Sequence, residues 1–448
     1  MDQPADAPAS TDLPADAPAS TDLPADASAS TDLPADASAS TPTFAAFHRM
    51  WQDLLPIGRH PRTGGYRRSA WTGADLACRE WFRAASAAFG LDVETDRNGN
   101  LWAWWGRPGP NAFVTGSHLD SVPDGGAYDG PLGVVSALAA VGLLQQAGAT
   151  PTRPVAVTCF TDEEGARFGV ACIGSRLSAG LLAPETARGL RDVDGTTLGE
   201  AMSSAGHDPN RLGPDESALR RVGVFVELHV EQGRQLSALG APLGLATAIW
   251  PHGRWRFRFT GEANHAGTTR WEDRRDPMLT YAATVLAARE TARADGALAT
   301  FGRVSVEPNG TNAIASVVDG WLDARAPEQA GLDAVVAELA RRAGEAAGRD
   351  GTAVEVTGES LTAEVSFPAE PRRRLAALLG ASQVGSLPQL PTGAGHDAGI
   401  LSARVPTAML FVRNPTGLSH APSEFAEQAD CEAGVLALAA AMADWVTG

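Results

Sequence analysis

The chain has 448 residues, 44% of them hydrophobic, which is enough for two or three domains with real cores. Its formal net charge is −17, and so acidic a chain is a poor binder of nucleic acid or of anionic membranes. All 36 basic residues are arginine, which excludes Schiff-base lysine chemistry, a phosphate-loop lysine and a carboxylated-lysine metal bridge.

Residues 1–41 repeat a ten-residue unit almost unchanged: MDQPADAPAS, TDLPADAPAS, TDLPADASAS and TDLPADASAS. The unit has few large apolar side chains to offset the entropy of ordering, and its prolines forbid a continuous helix. A disordered acidic tail is expected. It lacks the basic start and apolar core of a secretory signal, and no stretch of the chain reaches the roughly 18 apolar residues of a membrane-spanning helix. The expected location is cytoplasmic. Four cysteines, Cys78, Cys159, Cys172 and Cys431, show no CxxC spacing and read as buried reduced thiols.

GADLACREWFRAASAAFG (73–90) has helical spacing and stops at Gly90. NAFVTGSH (111–118) and RPVAVTCFTDEE (153–164) read as short strands, with a buried helix, GPLGVVSALAAVGLLQQAG (130–148), between them. Strand, loop, helix, strand predicts an α/β layered domain, in which sites gather at the C-terminal ends of strands. VGVFVELHVEQG (222–233) predicts a further strand of that sheet.

The pattern then changes. RWRFRFTGE (254–262) alternates as a half-exposed strand does, and is followed by a helix at about 276–294, strands near 301–307 and 316–325, a helix at 329–347 and a strand at 353–358. This β-α-β-β-α-β order is that of a small two-layer α+β unit. Gly-rich loops and buried strands return after it. The expected class is therefore α/β, a split catalytic domain (42–246 and 362–448) with a central mixed β-sheet flanked by helices, interrupted by an inserted α+β domain (247–361).

Chemistry-bearing residues stand at the predicted strand ends. His118 and Asp120 form an H-x-D pair, in which a carboxylate can fix the tautomer of a ligating imidazole. Asp129, flanked by glycines, reads either as a helix N-cap or as a metal bridge. In TDEEG, Glu163 and Glu164 adjoin Asp162; a surface turn is one reading, and a cation-relieved pair, one ligand and one base, is the other. His229 lies in an apolar strand, with Glu227 and Glu231 on the same strand face, and His420 lies in a loop after another apolar strand. Histidines and carboxylates in this mix suit borderline divalent ions such as Zn, Mn or Co.

The stretches GSHLDSVPDGGAYDGPLGV, TDEEGARFG, ELHVEQG, NHAGTT, NGTNAIAS, LDARA, GAGHDA and SHAPSE occur in one order from about residue 45 to the end of the chain. In this the chain resembles the amidase branch of the dinuclear M20 metallopeptidase clan, which holds allantoate amidohydrolases, N-carbamoyl-L-amino acid hydrolases and ureidopropionases. The resemblance implies two divalent metal ions per subunit. His118, Asp129 and His229 would hold one, and Asp129, Glu164 and His420 the other. Asp120 would orient His118, and Glu163 would be the general base.

The inserted segment resembles the clan's lid and dimerisation domain. The resemblance implies substrate contacts from Gln232, His265, Asn312, Arg325, Gly395 and His396, with His265, Asn312 and Arg325 reaching the partner subunit's site of a homodimer and His265 also serving the oxyanion. Arg270-Trp271 depart from the Pro-Met common after NHAGTT, adding bulk and charge near the lid. A cytoplasmic amidohydrolase acting on the ureido C–N bond of a small carboxylate is implied, allantoate first. N-carbamoyl-L-amino acids and N-formyl or N-acyl amino acids are alternatives, and a non-catalytic metal-containing binding protein is a remote one.

Overall fold

Strands buried on both faces need cover on both. The runs AFVTGSH, VAVTCF and TAMLFV are buried at every position, so they belong at the centre of a covered sheet. The computed structural model describes residues 44–381 and 387–447, and the acidic repeat of 1–41 lies outside them. The first strands are β1 (Asp92–Thr95), β2 (Leu101–Trp105), β3 (Ala112–His118), β4 (Val155–Phe160), β5 (Val222–Val230) and β6 (Leu243–Ile249). A second group follows: β7 (His252–Thr260), β8 (Asn264–His265), β9 (Leu298–Glu307), β10 (Ala313–Ile314), β11 (Val317–Arg325) and β12 (Ala353–Thr362). The chain closes with β13 (Val365–Ser366), β14 (Gln389–Thr392) and β15 (Thr407–Val412).

The large sheet has the order β1-β2-β4-β3-β5-β15-β6-β13, with β14 beside β6. Its centre, β4-β3-β5-β15, is parallel, whereas β2 and β6 pair with it antiparallel. The expected mixed sheet with flanking helices is present. One apolar layer joins Phe113, Leu138, Leu228, Leu410 and Leu438, carried by the sheet and by the helices Pro131–Gln146 and Gln428–Thr447. The other joins Phe160, Phe225, Met409 and Phe411 to Leu401 of the helix Asp397–Leu401. All four cysteines are buried and unpaired, and no helix among the described residues is long and apolar enough to cross a membrane.

The second sheet, β12-β7-β11-β9, is antiparallel throughout. Alternation in β7 turns Phe257 and Phe259 inward, where they meet Val318 and Leu322 of β11 and Leu332 and Leu339 of the helix Gln329–Asp350. With the helix Pro277–Ala294 this gives the β-α-β-β-α-β order read from the sequence. The two-residue pair β8 and β10 is an addition that sequence periodicity did not reveal.

Candidate metal centre

Four parallel strands deliver their C-terminal ends to one edge of the large sheet. His118 ends β3, TDEEG follows β4, His229 is near the end of β5 and His420 lies in the loop after β15. Asp129 does not cap the helix after β3, one of the two readings open to it: Gly130, at φ +85, occupies the cap position and no side chain caps the helix. A Cβ at Gly130 would stand 2.5 Å from the His118 ring, so only glycine lets the turn pass over the imidazole. The carboxylate of Asp129 turns to the histidines instead.

Asp129 Oδ1 is 3.2 Å from His229 Nε2 and 3.6 Å from His118 Nε2. Its Oδ2 is 3.3 Å from His420 Nε2, which is 3.5 Å from Glu164 Oε2. Two triads thus share one carboxylate, His118–Asp129–His229 and Asp129–Glu164–His420, each with ligand atoms within 4.8 Å of one another. They are the two sets named by the resemblance. The Nε2 atoms of His118 and His229 are buried without a hydrogen-bond partner. Buried polar atoms left so are costly, and a borderline divalent cation suits this N and O donor set. A third group, Glu227, His229 and His396, shares His229. There, however, Glu227 already accepts from Ser117 Oγ (2.7 Å) and the Ala398 N–H (2.8 Å), which makes it a brace from β5 to β3 and to the helix Asp397–Leu401.

Each buried imidazole is held through Nδ1. His118 Nδ1 is 3.1 Å from the Asp120 carbonyl and His229 Nδ1 is 2.9 Å from the Val230 carbonyl, so both rings donate there and turn Nε2 to the centre. The Asp120 carboxylate stands farther off, 3.5 Å from His118 Nδ1. Its two oxygens accept the backbone N–H groups of Glu163 (3.2 Å) and Glu164 (3.0 Å), so Asp120 fixes the TDEEG loop as well as the ring.

Carboxylates crowd the site. Burial, reinforced by Asp397, Glu164 and Asp129 and opposed by His118, pushes the Glu163 carboxyl well above its usual range. Burial and then Asp129 bring Glu164 up to about 7. The hydrogen bond to Asp129 raises His420 to about 9. Burial opposes ionisation of Asp129, but three imidazoles hold it well below the carboxylate range. Glu163 Oε2 lies 3.7 Å from His118 Nε2, within the same cluster.

A cavity of about 360 Å³ opens on Asp129, Glu163, Glu164 and His420, and Gln232, Arg325, Gly395 and His396 help to wall it. Gln232 Nε2 donates to Asp129 Oδ2 (2.9 Å) and Ser419 Oγ (3.2 Å). Arg325 pairs with Asp323 (2.8 Å) and donates to the Gly393 carbonyl (2.5 Å). The His396 ring centre is 4.5 Å from that of His229, and burial pushes its pKa well down. His265 and Asn312 stand apart from this cavity, exposed, beside the β8–β10 pair, where the Ala266 N–H donates to the Asn312 carbonyl (2.9 Å). His265 Nδ1 accepts two backbone N–H groups, of Gly267 and Thr268, which leaves Nε2 facing outward. Arg270 is paired with Asp273, and Trp271 is exposed under the Arg274 guanidinium; neither lines the cavity.

One residue was missed by sequence reasoning. Buried Glu424, at the end of SHAPSE, accepts the N–H groups of Tyr128 (3.0 Å) and Asp129 (2.9 Å) on Oε1 and the Ser419 hydroxyl (3.0 Å) on Oε2. It ties the Asp129 loop to the His420 loop across 296 residues of sequence. Removing such a support from a metal ligand costs about 10- to 100-fold in affinity. Glu424→Ala is accordingly expected to weaken zinc binding, measured by chelator competition, by about that factor, and Glu424→Gln by less. Unchanged zinc affinity in the alanine variant would contradict the bracing role.

Residues 114–444 match the peptidase family M20/M25/M40. An N-carbamoyl-L-amino acid amidohydrolase of Geobacillus stearothermophilus is 38% identical over 86% of this chain and 95% of its own length. An allantoate amidohydrolase of Bacillus subtilis is 32% identical, over 84% and 91%. Among solved structures, an amidase of the hydantoinase/carbamoylase family from Burkholderia vietnamiensis superposes with a TM-score of 0.81 at 32% identity, covering 90% of this chain and 98% of that one.

Proposed function

Because this chain belongs to the peptidase family M20/M25/M40 and is a hydrolase of C–N bonds, we propose that it hydrolyses the ureido C–N bond of a small carboxylate-bearing substrate at a centre of two divalent ions. The observation that carries the reading is Asp129, shared by two ligand triads in a cavity that also holds the Glu163 carboxylate. When bound, the ions supply Lewis acidity toward the carbonyl oxygen and lower the pKa of water.

The chain's own residues do the rest. His118, His229 and Asp129 would hold one ion, and Asp129, Glu164 and His420 the other. Glu163 takes a proton from the attacking water and returns it to the leaving nitrogen, so its raised proton affinity suits both halves of the cycle. The ureido group then leaves as carbamate, which breaks down to ammonia and carbon dioxide, and the amine or ureido remainder is released. Gln232, Gly395 and His396 line the substrate's path. We assign 247–361 as an inserted lid domain and propose a homodimer through it, in which His265 and Asn312 serve the partner's site and His265 donates to the oxyanion, whereas Arg325, expected to reach the partner as well, walls this chain's own cavity. The exposed edge strand β9, with Leu298 and Val304 outward, favours such pairing. Monomers in sedimentation at micromolar concentration would sink that part.

Two substrates have separate support. The motifs of the chain favour allantoate, and the higher identity to the Geobacillus protein favours an N-carbamoyl-L-amino acid. Ammonia release by the zinc-, manganese- or cobalt-loaded protein from allantoate, N-carbamoyl, N-formyl and N-acyl amino acids and dipeptides is expected to rank a ureido compound first. Turnover of dipeptides alone would overturn the proposal.

A further inference from the structure

Three arginines, Arg176, Arg254 and Arg325, wall the cavity that opens on Asp129, Glu163 and Glu164. Two of them share one counter-ion. Asp323 pairs with Arg325 Nε at 2.8 Å and stands 3.7 Å from Arg254 Nε, and Arg325 Nη1 is further engaged by the Gly393 carbonyl. A single carboxylate thus serves both guanidiniums, so neither is without a carboxylate partner.

Arg176 is placed differently. It lies on the helix Ile173–Ala179, which follows the TDEEG loop, and its Nε donates to the Ala171 carbonyl at 2.9 Å. That bond fixes the plane of the guanidinium and leaves the two Nη groups free to face a ligand as a fork. Among the described residues no carboxylate stands within ion-pair distance of it. Burial first, and then the charges of Arg325 and Arg176, lower the proton affinity of His252, which is also on the cavity wall. Arg176 is thus the arginine of this cavity wall that has no carboxylate partner among the described residues, and the same cavity opens on the carboxylates Asp129, Glu163 and Glu164. A ligand in this cavity can offer a carbonyl to the metal-ligating cluster and a carboxylate to the guanidinium fork.

We propose that Arg176 is a specificity-determining residue that binds the substrate's carboxylate, so directing its ureido carbonyl toward Asp129 and Glu163. The assignment rests on the ureido-carboxylate reading above, and it adds Arg176 to the substrate contacts that the resemblance implies. Loss of a charge-assisted hydrogen-bonded pair lowers binding by about 10- to 100-fold.

The test compares the metal-loaded protein with Arg176→Met and Arg176→Lys on allantoate and N-carbamoyl-L-alanine, each beside its primary carboxamide. The unsubstituted protein is expected to prefer the carboxylate. Arg176→Met should raise KM for the carboxylate by about 10- to 100-fold with kcat within a few-fold, leave the carboxamide unaffected, and so abolish the preference, with partial recovery in Arg176→Lys. A methionine variant that keeps the preference, or that loses turnover of both compounds equally, would overturn the assignment. If the unsubstituted protein hydrolyses none of the four compounds, the ureido-carboxylate reading fails and takes the assignment with it, a result distinct from failure of Arg176 alone.

Discussion

Glu163→Gln is expected to lower kcat by about 10²- to 10⁴-fold while the protein still takes up its ions, because the amide keeps the shape of the carboxylate but cannot shuttle a proton. Glu163 is not a member of either ligand triad, so elemental analysis of the variant should give the metal content of the unsubstituted protein. The pH profile supplies the sign. Glu163 acts as a base only when ionised, and burial with neighbouring carboxylates raises its proton affinity in the metal-free protein. Turnover therefore rises with pH as Glu163 loses its proton and falls on the acid side. Bound cations move that limb toward lower pH, and the glutamine variant should lack it. A variant with full turnover would show that another group carries the proton.

Asp129→Ala should be the most damaging single change at the centre, since one carboxylate serves both triads. Loss of a shared ligand is expected to weaken each ion by about 10²-fold or more, beyond the effect of an outer support, and to bring turnover below detection. Proton linkage gives a second readout. Without cations, burial raises Glu164 to about 7 and the hydrogen bond to Asp129 raises His420 to about 9, so at neutral pH His420 holds a proton and Glu164 holds one about half the time, and an entering cation must displace them. Zinc uptake by the unsubstituted protein should release protons and tighten as pH rises from about 6 through 8. Calorimetric titration in buffers of different ionisation enthalpy checks this. An alanine variant that binds both ions with unchanged affinity would rule out the bridging role.

The parts of this site that were legible in the sequence are those set by local patterning. NAFVTGSH and RPVAVTCFTDEE are short, β-rich and bounded by turn residues, and their ligand-bearing ends are His118 and the Glu163–Glu164 pair. The parallel arrangement that gathers those ends was readable from the buried helix between them. What depends on long-range contact was not. Glu424 reaches Asp129 across 295 residues, and nothing near SHAPSE announces that partner. Asp120 was legible as a ring-orienting carboxylate because H-x-D is a local signal, but its oxygens also accept the N–H groups of a loop more than 40 residues away, which no local pattern announces. Two-residue spacing puts Glu227 and Glu231 on the strand face of His229, yet Glu227 braces Ser117 and Ala398, while Glu231 lies beyond the end of β5 and accepts the N–H groups of Gln235 and Leu236. LWAWW, which forms β2, carries no alternation to distinguish it from a helix segment, so periodicity left it unread.

The central claim is that two divalent ions, held through Asp129, make this chain a hydrolase of ureido carboxylates. It is tested most directly by titrating zinc into the metal-free protein while following ammonia release from allantoate and N-carbamoyl-L-alanine in the same samples. The account predicts turnover that appears with metal and saturates at two ions per chain, and that is lost together with binding in a His229→Ala, His420→Ala variant. Ureido hydrolysis by protein holding no divalent ion, or undiminished binding of both ions by that variant, would contradict it.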